Sequence, residues 1–173
     1  MLFPVYTLKH REDFMDQKPF ASLWLAAGES GFASKSDWQE WADKQIASVP
    51  CPPLWLIDLS TTNDRDGLWK ALPPAIDAEE HAGFERESIS EAVLGYLWLR
   101  YERGDIDLQT CLSLAGRHAD AYETSIECER FYSLLNRLEE SSTGKSAVKH
   151  EVETLFGPFV VLAQKQWAAL REV

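Results

Sequence analysis

Residues 88–138 read SISEAVLGYLWLRYERGDIDLQTCLSLAGRHADAYETSIECERFYSLLNRL, and this stretch decides the fold. Its first part, from Ala92 to Leu99, contains no charged residue. A helix that is apolar around most of its circumference is covered on more than one side. The run is also far shorter than the ~20 residues that span a bilayer. We therefore expect a central core helix here.

The ends of this helix are indicated by its flanking residues. Ser88 and Glu91 have the spacing of a capping box, which predicts the N-terminus. Gly104 is suited to the positive φ that commonly follows a helix. Arg100 and Arg103 would lie in the last turn, where cations oppose the negative end of the helix dipole. The central helix is thus predicted to end next to Gly104.

Two further helices are predicted in the same stretch. Asp107 is a good N-cap for the first of them, and Ser125 for the second. Each predicted helix has one apolar stripe at helical spacing. The stripes are Leu108, Cys111, Leu112, Ala115, Ala119 and Tyr122, followed by Cys128, Phe131, Leu134, Leu135 and Leu138.

Upstream, the pattern predicts three shorter helices. Residues 21–27 form a brief apolar segment that ends at glycines, and residues 36–49 begin with the capping-box pair Ser36 and Gln39. The second of these segments has one apolar face at helical spacing, made of Trp38, Trp41, Ala42, Gln45 and Ile46. Residues 54–59 are apolar except for Asp58, and this run fits a strand or a helix. The two prolines before this run favour the helix.

The remaining segments are read from their prolines and glycines. Pro73 and Pro74 are expected to end a short helix, which makes residues 73–87 a surface loop. Gly157 and Pro158 are expected to separate a helix at 145–156 from a last helix at 159–170. Residues 1–8 fit a strand or an extended arm. The prediction is one all-α domain over residues 1–173, with about six to eight helices.

Composition limits the classes of function. The chain has 173 residues, with 17 Lys and Arg against 28 Asp and Glu, so its formal net charge is −11. Such a chain is a poor candidate for binding nucleic acid through a basic surface, whereas it suits a basic protein partner. The 3 cysteines form no disulfide framework, and no targeting or membrane segment is evident. We therefore expect a cytoplasmic protein; the oligomeric state stays open.

Catalytic and metal-binding motifs are missing from the sequence. It contains no nucleophile elbow, no P-loop and no dinucleotide-binding fingerprint. No histidine pair has the spacing of a metal site, so we expect neither a metal nor a cofactor. An enzyme would need a site assembled from scattered residues, with His118, Asp120 and Glu123 as candidates. An adaptor without catalytic activity is the other alternative.

The distribution of charge points to one surface. The segment 77–107 carries nine carboxylates and three arginines, a net charge of −6. These acids are either ordinary solvated groups and caps or an anionic patch that docks on a basic protein, with an exposed tryptophan as its anchor. The predicted partner-binding residues are Trp69, Asp77, Glu79, Glu80, Glu85, Glu87 and Asp105.

Two segments resemble bacterial immunity proteins, which neutralise a toxin made by neighbouring or sister cells. They are Trp41-Ala42-Asp43 and the run PPLWLIDLS at residues 52–60. The resemblance implies binding of a cognate toxin and supplies no catalytic residue. Nuclease toxins, whose clefts are basic, are the kind of partner that the acidic charge favours.

Overall fold

A computed structural model describes residues 19–81, 87–140 and 145–172, with the backbone alone at positions 80, 81, 87, 88 and 145. Over these residues the chain forms nine α-helices and no strand, which confirms the all-α prediction with more helices than expected. Residues 1–8 lie outside the described ranges. The helices are α1 Phe20–Glu29, α2 Lys35–Ser48, α3 Leu54–Thr61, α4 Arg65–Ala71, α5 Pro73–His81, α6 Glu87–Arg103, α7 Leu108–Ala121, α8 Cys128–Glu140 and α9 Lys145–Arg171.

Helix α6 is the central helix, as its uncharged run predicts. It packs against α1, α7 and α9, and its side chains from Ala92 to Leu94 and from Tyr96 to Trp98 are buried. Gly95 marks the closest approach to α9, because a Cβ at this position would lie 2.0 Å from the Phe159 carbonyl oxygen. All nine helices contribute residues to one continuous hydrophobic core.

The C-terminus of α6 is confirmed, whereas its predicted capping box is wrong. Gly104 has φ +83°, and the N–H groups of Gly104 and Asp105 donate to carbonyl groups in the last turn of α6. At the other end the helix begins at Glu87, before Ser88. The Glu91 carboxylate instead accepts hydrogen bonds from the N–H and hydroxyl of Ser125. Ser125 is therefore a tertiary contact of α6 and does not cap α8, which begins at Cys128.

Helix α2 also begins earlier than predicted. Its capping box consists of Ser34 and Asp37, two positions before the expected pair Ser36 and Gln39. Ser34 and Asp37 have the same three-residue spacing as Ser36 and Gln39. In the structure Ser34 is the N-cap, and its backbone N–H donates to the Asp37 carboxylate. The predicted apolar face is confirmed, since Trp38, Trp41, Ala42 and Gln45 are buried.

Pro73 and Pro74 explain one difference between prediction and structure. Residues 54–61 form helix α3, as the preceding prolines favour, but Pro73 and Pro74 also start a helix, α5, where a loop was expected. Proline fits the first turn of a helix because the N–H groups there have no intrahelical acceptor. The expected loop at 73–87 is therefore wrong for residues 73–81 and for Glu87; residues 82–86 lie outside the described ranges.

Helix α9 continues through Pro158 instead of breaking there. Phe156 and Phe159 are both buried, so α9 packs onto the core on each side of the proline. This burial offsets the cost of proline in a helix interior, about 3 kcal/mol. The predicted break between residues 156 and 159 is wrong because tertiary packing outweighs the local preference.

Candidate functional site

An open cleft of about 390 Å³ lies where α1, α4, α5 and α6 meet the segment that follows α7. Most of its lining is apolar, and two aromatic rings stand at its edge. We call this cleft the aromatic groove. Its lining residues are Leu25, Trp69, Pro73, Ile76, Asp77, Ile89, Ser90, Tyr122 and Glu123.

The two aromatic rings of the groove are exposed but held in place. Trp69 and Tyr122 are each 41% exposed, whereas large aromatic side chains elsewhere are mostly in the core. The indole Nε1 of Trp69 donates a 2.6 Å hydrogen bond to the Glu29 carboxylate. The ring of Tyr122 packs against His118, with 4.8 Å between the ring centroids. Intramolecular contacts therefore hold both rings in position.

The sequence pattern places Tyr122 on the apolar stripe that begins at Leu108. Helix α7 ends one residue earlier, at Ala121, and Tyr122 has extended backbone with φ −132°. This change of backbone direction places the ring at the groove instead of in the core. The stripe itself is confirmed at Cys111, Leu112 and Ala115, which are buried.

Carboxylates border the groove. Asp77 on α5 and Glu123 after α7 both line it, and both residues are exposed. Glu29 does not line the groove; its carboxylate accepts from Trp69 and forms a 2.9 Å ion pair with Arg65. The groove thus combines an apolar floor with negative charge at its edge.

Glu79 does not belong to this surface, although the sequence placed it there. Its carboxylate accepts hydrogen bonds from the N–H groups of Ala21 and Ser22, at 2.7 and 3.0 Å, and from the Ser22 hydroxyl. These are donors at the N-terminus of α1, where no residue of α1 itself provides a side-chain cap. Burial raises the pKa of Glu79, and the three hydrogen bonds oppose that rise. Glu79 is therefore a structural residue that ties α5 to α1.

Of the remaining predicted partner-binding residues, only Asp105 has a described side chain, and it does not line the groove. Asp105 lies beside the C-terminus of α6 and forms an ion pair with Arg103. Glu80 and Glu87 are described by their backbone alone, on α5 and α6, and Glu85 lies outside the described residues. Of the predicted residues whose side chains are described, Trp69 and Asp77 line the groove.

The candidate enzyme residues do not share a site. His118 Nε2 lies 3.0 Å from the Ser90 carbonyl oxygen, an acceptor that requires the N–H form of this nitrogen. Asp120 contacts the Cys128 thiol instead, at 3.8 Å, and Glu123 lies on the aromatic groove. No hydrogen bond joins these three residues to each other.

The cysteines carry no sign of an activated nucleophile. Burial raises the pKa of the Cys111 thiol to about 12, which keeps it protonated in the core. Desolvation and the carboxylates of Glu129 and Asp120 raise the pKa of Cys128, which is half-buried. Cys51 is exposed.

Two classes of site are not found in the part of the chain that the structure describes. It contains no group of three or more His, Cys, Asp or Glu side chains arranged to hold a metal ion. Nor does any helix there combine the length and apolarity needed to cross a bilayer. No protein-family model, curated protein or solved structure matches this chain. The geometry of the aromatic groove is therefore the basis for assigning a function.

Proposed function

We propose that this protein binds a basic protein partner at the aromatic groove and neutralises it, as an immunity protein neutralises its toxin. The proposal depends on one observation: Trp69 and Tyr122, each 41% exposed, flank an apolar cleft that carboxylates border. We place this encounter in the cytoplasm, where an immunity protein would protect its own cell.

The aromatic rings supply the affinity in this proposal. Tryptophan and tyrosine are the side chains most enriched among residues that dominate binding energy. Each already exposes a large area that a partner would remove from water. The Glu29 hydrogen bond and the His118 contact hold the two rings, so binding loses little side-chain entropy.

The carboxylates make the groove selective for a basic partner. Asp77 and Glu123 favour a Lys or Arg side chain that enters the groove beside Trp69, where a cation also interacts with the indole ring. The net charge of −11 attracts a basic protein from a distance. A nuclease whose substrate cleft is basic fits both requirements, and an acidic protein seated on that cleft would exclude the substrate.

The experiment starts by identifying the partner. A photo-crosslinking amino acid placed at Trp69 in cells that express the protein should capture one basic protein. The same amino acid at Leu54, which is 70% exposed on α3, provides the control position. A partner captured equally from both positions, or an acidic partner, would contradict the proposal.

An activity assay on the purified protein and its partner then distinguishes neutralisation from binding without inhibition. We expect the wild-type protein to abolish the activity of the captured partner at equimolar ratio. Trp69→Ala should weaken binding by about 2 kcal/mol or more, whereas Leu54→Ala should not change it. A partner that binds at the groove but keeps its full activity would make this protein an adaptor, the alternative that the sequence left open.

A further inference from the structure

A second cleft, of about 210 Å³, lies beside the aromatic groove, and Tyr122 borders both. It is formed by the C-terminal end of α1, the start of α4, and α6 and α7. We call it the arginine cleft, because guanidinium groups are its most common polar groups. The lining residues that matter for its chemistry are Glu29, Arg65, Arg100, Arg117, His118 and Tyr122.

The charge of this cleft is opposite to that of the whole protein. Among its described lining residues, Arg65, Arg100 and Arg117 oppose the single carboxylate of Glu29. This leaves two uncompensated positive charges in a protein whose formal net charge is −11. Such a concentration of cations in a concave site is the arrangement that binds an anion.

Arg100 is fixed in place by the backbone around it. Its Nη1 donates a 2.7 Å hydrogen bond to the Ser30 carbonyl oxygen at the end of α1. Gly31 follows with φ +72°, and a Cβ at this position would lie 3.1 Å from the same Nη1. The turn after α1 therefore has a glycine both for its left-handed backbone and for the space that the guanidinium occupies.

Arg117 is the cation of the cleft for which the described part of the chain offers no partner. It is exposed, and it forms no hydrogen bond or ion pair with any residue in the described ranges. Arg65 by contrast is paired with Glu29 at 2.9 Å. The N–H donors of Arg117 are therefore available to an anion, whereas the guanidinium of Arg65 is held in one orientation by Glu29.

His118 lines the arginine cleft without adding a positive charge. Its Nε2–H is occupied by the Ser90 carbonyl oxygen. Burial lowers the pKa of His118, so the ring is uncharged at neutral pH. The positive charge of the cleft consequently comes from arginines alone and does not titrate in the physiological range.

We propose that the arginine cleft binds a phosphate dianion, either inorganic phosphate or the phosphate group of a small monoester. Guanidinium groups present paired N–H donors that match phosphate oxygens, and two net positive charges match the dianion. The volume of about 210 Å³ is several times the ~30 Å³ that one water molecule takes up in the liquid. The body of a monoester would extend past Tyr122 into the aromatic groove.

The test is calorimetric titration of the full chain at pH 7.5 in a phosphate-free buffer of low ionic strength. The probes are inorganic phosphate, phenyl phosphate and acetate. We expect saturable binding of both phosphates and much weaker binding of acetate. If phenyl phosphate binds more tightly and Trp69→Ala removes the difference, the natural ligand is a monoester; equal affinities identify inorganic phosphate.

Three variants connect the binding to this cleft. Arg117→Ala should weaken phosphate binding about 10-fold, because charge-assisted hydrogen bonds are lost. Since Arg117 has no partner in the described ranges, its removal should leave the thermal unfolding midpoint unchanged. Glu29→Gln should tighten phosphate binding several-fold, because it removes the competing carboxylate and keeps an oxygen that accepts from Trp69.

Arg137→Ala is the matched control, since Arg137 lies outside the cleft and pairs with Glu151. This variant should bind phosphate as the wild type does. The proposal is overturned if neither phosphate binds saturably, if acetate binds as tightly as phosphate, or if Arg117→Ala and Arg137→Ala behave alike.

Discussion

The carboxylate of Glu79 occupies the N-terminus of α1, where it accepts hydrogen bonds from two backbone N–H groups and from the Ser22 hydroxyl. Helix N-termini carry unpaired N–H groups and a partial positive charge, so a carboxylate there stabilises the helix. The donors belong to residues that are 57 and 58 positions away from Glu79 in the chain. No local pattern contains this information, which explains why the sequence assigned Glu79 to a docking surface.

Replacing Glu79 should therefore cost stability. We expect Glu79→Ala to lower the free energy of unfolding by about 1–2 kcal/mol at pH 7, because the N–H groups of Ala21 and Ser22 lose their acceptor. Urea denaturation followed by circular dichroism measures the change. Glu40→Ala on the exposed side of α2 is the control and should change stability by less than about 0.5 kcal/mol. Equal effects of the two variants would mean that the cap of α1 is unimportant.

His118 gives the fold a pH dependence whose sign can be stated. Burial lowers its pKa below the ordinary value of 6.5, so the unfolded chain binds a proton more readily than the folded one. Stability is then fully present above pH 6.5 and falls as the pH drops through the lowered folded pKa. We expect the urea midpoint to decrease between pH 7 and pH 5.5, and His118→Gln to reduce this decrease. A midpoint with the same pH profile in both proteins would show that other groups control it.

Helix α6 crosses α9 at Gly95, and this contact explains the absence of a side chain in the middle of the central helix. A Cβ at Gly95 would meet the Phe159 carbonyl oxygen at 2.0 Å and the Phe159 carbonyl carbon at 2.5 Å. Both atoms are backbone, so they cannot move aside as the tip of a flexible side chain would. The same crossing holds α9 on the core one residue beyond Pro158, so it also supports the continuous helix.

A matched pair of glycine substitutions tests this packing. Gly95→Ala should destabilise the protein by more than about 3 kcal/mol, because α6 and α9 must separate to admit the methyl group. Gly157→Ala on α9 meets no atom within 4 Å outside its chain neighbours. It should change stability by less than about 1 kcal/mol, because the better helix propensity of alanine is offset by the clash of its Cβ with Pro158. Thermal unfolding of both variants measures the difference. Similar midpoints for the two would contradict the close crossing of α6 and α9.

At the level of elements, the sequence predicts apolar patterns and one helix cap from local spacing, although the capping boxes expected at Ser36 and Ser88 are wrong. The uncharged run of α6, the buried face of α2 and the Asp107 cap of α7 are all found where the pattern places them. Errors arise where one local signal fits two structures. Pro73 can stop one helix or start the next, and Pro158 can break a helix or be tolerated inside it. Packing on the core decides both cases, and a single sequence does not reveal that packing.

The candidate site was predictable only in part, for the same reason. An exposed tryptophan among carboxylates was expected, and Trp69 and Asp77 do line the aromatic groove. Tyr122 belongs to an apolar stripe in the sequence, and it reaches the groove because α7 ends at Ala121. The arginine cleft draws its residues from positions 65, 100 and 117. Such distant residues have no shared signal, and they meet because α4 packs on α1 while α1 and α7 both pack on α6.

At the scale of the whole molecule, the charge pattern separates two contributions to the proposed complex. The net charge of −11 and the carboxylates at the groove act before contact, so they should control the association rate. The rings of Trp69 and Tyr122 act after contact, so they should control dissociation. The association rate should also fall as salt is added, because the Debye length shortens to about 8 Å at physiological ionic strength.

Stopped-flow kinetics would resolve these contributions, with the partner first identified by crosslinking and then purified by itself. We expect the double variant Asp77→Lys/Glu123→Lys to slow association about 10-fold at low salt with a smaller effect on dissociation, and Trp69→Ala to do the reverse. The control is Glu40→Lys/Asp43→Lys, which changes the net charge equally on the exposed side of α2. If this control slows association as much as the groove variant does, total charge alone guides the encounter. The carboxylates of the groove would then have no directing role, and the orientation that brings a partner's cation to Trp69 would have to come from contacts formed after collision.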